Sequence, residues 1–471
     1  MLVENSHSQD ALAEAIQTVD TLMATGKYAR SLSVMLPYVQ AGELDLDLLD
    51  RTADCFFEMR DYDNAIMVMR HVTENFPDDA GSWGKLGLML QTKGELDAAV
   101  AAFEKVLSME PNSIPALTAL NGIETFTPDN LYAQRLLALS ERDDLDTNRR
   151  ALVHHALAQI AHAAGEINTA FTLFQSSRQS VAGAFAPAIF DEMVAEQEQM
   201  FEPRAVDTDS AVLPKIVFIG GMPMAGTGLV DRILSEHKNV FSVGENAALS
   251  RTHGAIRMHL AKTGRPCNYW DWMDQLNTEE IEIFRQYYLE RAMGGQVAGG
   301  KTIVDAHPLG CLEFALAQFL FPEAKFVFMS RHPLETALAN VASNVLNGNA
   351  MASRAEWIGK VTRTVYASAF NYAEKLGDAM RFQSYEALVQ NPEQEINLLL
   401  DHAGLDFDSA CLTPTPLCKP ENIATSLGHE ELTPASQGKW QAYAEQLQPV
   451  KDMLGGDRWI DAWQALDDNL R

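Results

Sequence analysis

Between residues 215 and 235 the sequence assembles the parts of an anion site. Lys215-Ile216-Val217-Phe218-Ile219 is a short β-branched and aromatic run, the composition of a buried strand. It ends at Gly220-Gly221-Met222-Pro223-Met224-Ala225-Gly226-Thr227-Gly228, and Leu229 to Ser235 then reads as a helix. Glycines at a strand-to-helix turn let backbone N–H groups converge on an anion at the helix N-terminus. A triphosphate loop of the Walker type needs Lys and then Ser or Thr after its last glycine, to reach the phosphates and the magnesium. Thr227 and Gly228 stand in those places, which makes ATP or GTP hydrolysis a poor reading.

Other residues able to act on a bound anion come later in the chain: Val243-Gly244-Glu245, Asp305-Ala306-His307-Pro308, Arg331-His332-Pro333, Tyr385-Glu386-Ala387-Leu388-Val389, Thr425-Ser426 and Gly438-Lys439-Trp440. Together with the glycine loop they resemble the sulfotransferases, whose phosphosulfate loop reads G-x-P-R/K-S-G-T-T between a strand and a helix. Gly221, Pro223, Gly226 and Thr227 match that loop, and Leu229 to His237 resembles the L-x-x-x-L-x-x-H continuation ahead of a G-E turn. Asp305 to Asn340 is similar to the D-K-x-P and R-D-P-x-D-T-x-L-S motifs of the tetratricopeptide-linked members.

The resemblance implies transfer of a sulfuryl group from 3′-phosphoadenosine 5′-phosphosulfate (PAPS) to a hydroxyl or amine, with no metal. It places the nucleotide on Gly221, Gly226, Thr227 and Gly228 of the loop, with Arg331, Tyr385 and Lys439 around it. Glu245 is the candidate base, a helix-capping or surface carboxylate being the alternative, and His307 is a second catalytic candidate or a structural histidine beside a proline. Against the family's motifs this chain has lost several ligands. The loop's basic residue is Met224, its serine Ala225 and its second threonine Gly228. The D-K-x-P lysine is Ala306, the serine of the arginine motif is Ala339, and the residue before Tyr385 is Ser384. A charge-assisted contact is worth about 1.5–3 kcal/mol, and a preorganised transition-state donor about 10²–10³ in rate. The reading is therefore a sulfotransferase with a much reduced nucleotide site. A catalytically silent scaffold whose repeats bind a partner protein is the alternative.

The elements that precede the loop are helical repeats. Trp83, Leu86, Gly87, Leu90, Gly94, Ala99, Phe103 and Pro111 have the spacing of a tetratricopeptide repeat. Stepping back 34 residues gives Leu49, Thr52, Ala53, Phe56, Ala65 and Pro77. The recurring small residues mark where two helices approach too closely for larger side chains. Leu157, Ala158, Ala161, Gly165, Ala170 and Phe174 form a further copy, and a weaker one surrounds Gly26. His154, His155 and His162 in that copy lack a cysteine or carboxylate to complete a metal site and read as packing or surface residues. In Tyr269-Trp270-Asp271-Trp272, with Phe284, Tyr287 and Tyr288, an aromatic stripe of this kind reads as core.

The expected architecture is thus α plus α/β. An α-helical tetratricopeptide array occupies 1–200, a linker 201–212, and a P-loop-type α/β domain with a mostly parallel sheet 213–471. The array is expected to bind a protein or peptide. The 471 residues carry 36 basic and 64 acidic side chains, a net charge of −28. Of this, −19 lies before Leu213 (14 basic, 33 acidic) and −9 from there on (22 basic, 31 acidic). Such a balance excludes broad attraction to nucleic acid or anionic membranes, whose phosphates must be neutralised by Lys and Arg. Five cysteines, with Cys411 and Cys418 lacking a second pair, make neither a disulfide scaffold nor a zinc site. With no signal-peptide pattern at the start and no apolar run of spanning length, the expectation is a cytoplasmic protein.

Overall fold

The structure is a computed structural model and describes residues 2–41, 45–181, 185–204, 213–343, 350–414 and 437–470. Thr425-Ser426, Cys418 and most of the expected linker lie outside the described residues. Two compact units are present, one built on Met1–Asp143 and the other on Asp144–Ala292 and most of the later chain.

The first unit contains α1 (Leu2–Ala24), α2 (Tyr28–Gln40), α3 (Leu46–Glu58), α4 (Tyr62–Asn75), α5 (Ala80–Lys93), α6 (Leu96–Met109), α7 (Ile114–Ile123) and α8 (Leu131–Ser140). The repeat period is written into its caps. Asp45, Asp61 and Asp79 each sit at an N-cap and accept the amide three residues on, from Leu48, Asn64 and Ser82. An aspartate there satisfies one of the first-turn amides that have no intrahelical acceptor. Gly94 closes α5 in the left-handed region, φ 89°. Ala53, Ala65 and Ala99 are fully buried between helices. Gly87 carries the closest approach: a Cβ there would lie 2.7 Å from the Phe103 ring, so α5 and α6 meet only because that side chain is missing.

The second unit holds a sheet of five strands: β1 (Ile216–Gly221), β2 (Val240–Gly244), β3 (Thr302–Asp305), β4 (Lys325–Ser330) and β5 (Met380–Ser384). Their order is β2-β3-β1-β4-β5 and every pairing is parallel. All six residues of β1 are buried, the pattern of a strand covered on both faces. Burying Ile216, Val217, Phe218 and Ile219 is worth about 1.5–3 kcal/mol each.

Helices α9 (Thr147–Ala163), α10 (Ile167–Val181) and α11 (Ala188–Met200) precede the sheet. Between and after the strands come α12 (Thr227–Ser235), α13 (Ala248–Lys262), α14 (Thr278–Met293), α15 (Phe314–Leu320), α16 (Pro333–Ala342), α17 (Ala355–Leu376), α18 (Tyr385–Gln390), α19 (Pro392–His402), α20 (Gln448–Leu454) and α21 (Asp457–Leu470). The pair α9–α10 carries the repeat spacing, with Ala158, Ala170 and Phe174 fully buried, yet it packs within the second unit. Compactness therefore divides the chain between Asp143 and Asp144, earlier than the loss of helical periodicity near residue 200. The start of the expected linker is also packed: Phe201 is fully buried, and Arg204 exchanges backbone bonds with the Gln318 side chain at 2.8 and 2.7 Å.

Candidate functional site

Parallel pairing brings the carboxyl ends of all five strands to one edge of the sheet. In spatial order these ends lead into Glu245 after β2, His307 after β3, the glycine loop after β1, Arg331 after β4 and Tyr385 after β5. The chain visits β2 and β3 on one side of β1, then β4 and β5 on the other, so the loop lies where the strand order reverses. In open α/β sheets that is where ligands bind.

The loop is shaped by close approach. A Cβ on Gly221 would lie 2.8 Å from the Met329 carbonyl oxygen. One on Gly226, at φ 114°, would lie 2.9 Å from both Met329 Cε and the Tyr385 ring. Gly226 is the N-cap of α12, so the first turn of that helix opens onto the loop. Met224 has φ 69°, the left-handed region that a glycine adopts freely and a methionine does not. Thr227 is buried and Gly228 exposed at the helix start.

Two side chains hold the loop from the β4–α16 side. Arg331, 2% exposed, donates from Nη1 to the Met224 carbonyl at 2.8 Å, its guanidinium 4.3 Å over the ring of the buried Tyr385. Asn340, fully buried in the last turn of α16, donates from Nδ2 to the Pro223 carbonyl at 2.7 Å. Nothing in the motif spacing points to Asn340, which shares α16 with the buried polar residues Glu335 and Thr336.

The chain's likeness to known proteins agrees with this layout. Residues 214–409 match the model of the sulfotransferase family, and residues 47–79 and 80–113 match tetratricopeptide repeat models. The chain carries a sulfotransferase-family domain behind tetratricopeptide repeats. An uncharacterized protein of Aquifex aeolicus (strain VF5) is 22% identical over 398 residues, covering 82% of this chain and 52% of its own. Protein-tyrosine sulfotransferase 1 of Danio rerio is 23% identical over 201 residues, 42% of this chain and 55% of that protein. The sulfotransferase domain of the Synechococcus PCC 7002 olefin synthase covers 53% of this chain and 98% of its own, at 19% identity and a TM-score of 0.35. The chain spans about half the length of these two curated relatives.

Within the sulfotransferase domain the two catalytic candidates leave neighbouring strands. Gly244 pairs with Asp305, and its carbonyl accepts from the Ala306 amide at 3.3 Å, so Glu245 and His307 extend from adjacent strand ends. Glu245 is exposed. The turn that carries it is fixed through Asn246, which accepts the Ala248 amide at 2.8 Å and also bonds the Asp305 carboxyl. Asp305 is buried, accepts Tyr288 Oη at 2.7 Å, and is pushed up to about 7, chiefly by burial. His307 is half-buried and held below the usual imidazole range by burial, which leaves it neutral at pH 7. Ala306, where the family's motif has lysine, is 2% exposed.

Lys439 sits near the end of β4, where it and Arg331 both act on the Glu335 carboxyl of α16. It acts electrostatically on His162 of α9 too, and the neighbouring Trp440 amide donates to Glu335 at 3.3 Å. His332 stacks on Trp440 with centroids 4.9 Å apart, and its backbone amide donates to Glu386 at 2.9 Å. Burial pushes the Glu386 carboxyl up to about 7 and the His332 imidazole down to about 4. The aromatic stripe is core: Trp270 and Trp272 are fully buried, and His253 joins Glu313 at 2.6 Å beneath them. His155 is buried against Phe174, while His154 pairs with Ser176 and His162 with Tyr443. Among the described residues no group of three or more His, Cys, Asp or Glu is arranged to hold a metal, and no helix is long and apolar enough to cross a membrane.

Proposed function

We propose that the sulfotransferase domain binds PAPS at the 221–227 loop and transfers its sulfuryl group to a hydroxyl or amine, in a site with few side-chain cations. The observation that supports this reading is the convergence of five parallel strand ends on one edge, with the glycine loop and α12 at the point of strand reversal. The residues present suit a 5′-phosphate: the first amides of α12 face the loop, and the buried Arg331 guanidinium stands directly behind it. PAPS supplies the sulfuryl group and departs as the 3′,5′-bisphosphate. The chain's own part is to hold the anion on loop amides and to take the acceptor's proton on a carboxylate. Glu245, exposed after β2, is the candidate for that proton, and His307, after the neighbouring strand β3, is a second candidate.

A second reading rests on a different observation. Two motif positions that carry cations in the family are here Met224 and the buried Ala306, and the retained Arg331 already donates to a loop carbonyl. In that reading the domain is catalytically silent and the acidic repeats recruit a partner, from a cytoplasmic location. Calorimetric titration with 3′-phosphoadenosine 5′-phosphate, followed by a sulfuryl-transfer assay with labelled PAPS, separates the two. Micromolar affinity with turnover supports transfer, and affinity without turnover supports the scaffold. Silence at millimolar nucleotide also favours the scaffold and removes PAPS from the site.

A further inference from the structure

The helical pair α9–α10 reaches the glycine loop through one buried cation. Arg178, on α10, is 3% exposed and has no carboxylate within ion-pair distance among the described residues. Its guanidinium is instead taken up by the C-terminal end of α16. Nε donates to the Val341 carbonyl at 3.2 Å, and Nη2 donates to the Ser343 carbonyl and, at 2.6 Å, to Ser343 Oγ. The last carbonyls of a helix have no intrahelical donor and carry the negative end of its dipole, so a cation there satisfies both at once. A desolvated guanidinium without a counter-ion is costly, and burial alone draws Arg178 down to about 9.

What these contacts fix is the last turn of α16. Asn340 precedes Val341 directly and donates both to Pro223 in the loop and to Thr336 one turn back. At its other end α16 begins two residues after Arg331, the second side chain holding the loop. One ten-residue helix therefore carries Asn340 and starts just beyond Arg331, and its far end is pinned from α10. We infer that Arg178 is a positioning residue: by fixing the C-terminal end of α16 it holds Asn340 against the loop, and so couples the α9–α10 pair to the shape of the anion site. This goes beyond the nucleotide reading and depends on it only for a ligand-affinity measurement.

The test is hydrogen exchange by mass spectrometry on the full chain without nucleotide, comparing wild type, Arg178→Met, Asn340→Ala and the double variant. Amides in a peptide covering 220–230 are expected to exchange about tenfold faster in each single variant. The double variant should be no faster than Asn340→Ala alone, because contacts acting in series do not add. Loosening confined to α10 and α16 with the loop unmoved would overturn the coupling, as would independent, multiplicative effects on the loop. Should Arg178→Met fail to fold, Arg178→Lys keeps the charge with a single donor group; faster loop exchange is then expected, and wild-type loop exchange counts against the inference. Affinity for 3′-phosphoadenosine 5′-phosphate, measured separately, falls with the loop if the nucleotide reading holds. Absence of binding in wild type touches that reading alone.

Discussion

The guanidinium of Arg331 lies 4.3 Å over the ring of Tyr385 and donates to the carbonyl of Met224, so one side chain ties the ends of β4 and β5 to the glycine loop. This gives it two roles: bracing the loop, and lending positive charge to whatever the loop holds. Replacing it by alanine is expected to weaken binding of 3′-phosphoadenosine 5′-phosphate by about 1.5–3 kcal/mol, the range for a hydrogen bond to a charged group. Arg331→Lys should recover only part of this, since an ammonium supplies charge without the planar fork. An unchanged dissociation constant in calorimetry for the alanine variant would remove Arg331 from the site.

Met224 and Ala306 differ in how readily the missing cations can return. Met224 is partly exposed in the loop, whereas Ala306 is 2% exposed beside the end of β2. Met224→Arg is therefore expected to raise PAPS affinity about tenfold, equivalent to roughly 1.4 kcal/mol. Ala306→Lys must extend four methylenes out of a packed position and should lower the melting temperature, whatever it adds to binding. The full restoration, with Ala225→Ser, Gly228→Thr and Ala339→Ser added, faces the same obstacle at the buried Ala225 and Ala339. Equal affinity of Met224→Arg and wild type would mean that the loop does not face the nucleotide.

Much of this site was legible in the sequence because its parts are local. A β-branched run, a glycine turn and an apolar helix start are read from neighbours in the chain, whereas Glu245, Arg331 and Tyr385 stand out only through their resemblance to the family's motifs. The repeat spacing likewise reflects contacts between adjacent helices, as Gly87 beneath Phe103 illustrates. Asn340 and Arg178 escaped because their roles depend on partners 117 and 163–165 residues away, at Pro223 and at Val341 and Ser343. No periodicity encodes such a contact. For the same reason the α9–α10 pair reads as one more repeat, although its packing partners lie in the α/β half.

Gly87 offers a direct check on the repeat packing. A side chain there would meet the Phe103 ring at 2.7 Å, and ring and helix would have to shift apart. Gly87→Leu is expected to cost about 1–3 kcal/mol, read as a lower midpoint in denaturant. Adding Phe103→Ala should return part of that loss, since the two positions share one volume. A single variant as stable as wild type would show that α5 and α6 are not packed this closely.

Two buried carboxyls give the second unit an unusual pH dependence. Asp305 is raised from 3.8 to about 7 and Glu386 from 4.5 to about 7, burial being the largest cause for both. A carboxyl whose value rises on folding favours the folded state when protonated, so its contribution is lost as pH climbs through 4 to 7. His155, His332 and His402, lowered to about 3, 4 and 4, act in the opposite sense, favouring the folded state above pH 6.5. The wild-type curve mixes both, and the difference from a variant isolates one. Asp305→Asn and Glu386→Gln should each gain in melting temperature relative to wild type between pH 5 and 8. A constant difference across that range would place the carboxyl near its ordinary value.

The repeats supply the last prediction. Met1–Asp143 carries 10 basic and 23 acidic residues, a net charge of −13 in under a third of the chain. Several of its acids already hold cations: Lys85 bridges Asp50 and Asp54, Arg51 pairs with Asp20, and Lys93 with Asp63 and Glu95. The surplus beyond these pairs makes a Lys- or Arg-rich segment the favoured partner, because opposite potentials speed encounter and like charge rejects competitors. The full chain is expected to bind a basic peptide, and the dissociation constant should weaken several-fold as salt rises from about 50 to 150 mM, where screening shortens to roughly 8 Å. A chain ending at residue 212 should retain that binding, and one ending at Asp143 should tell whether α9–α10 takes part. Binding that ignores salt, or that requires residues beyond 212, would leave the acidic surface to solubility and move partner choice to the sulfotransferase domain.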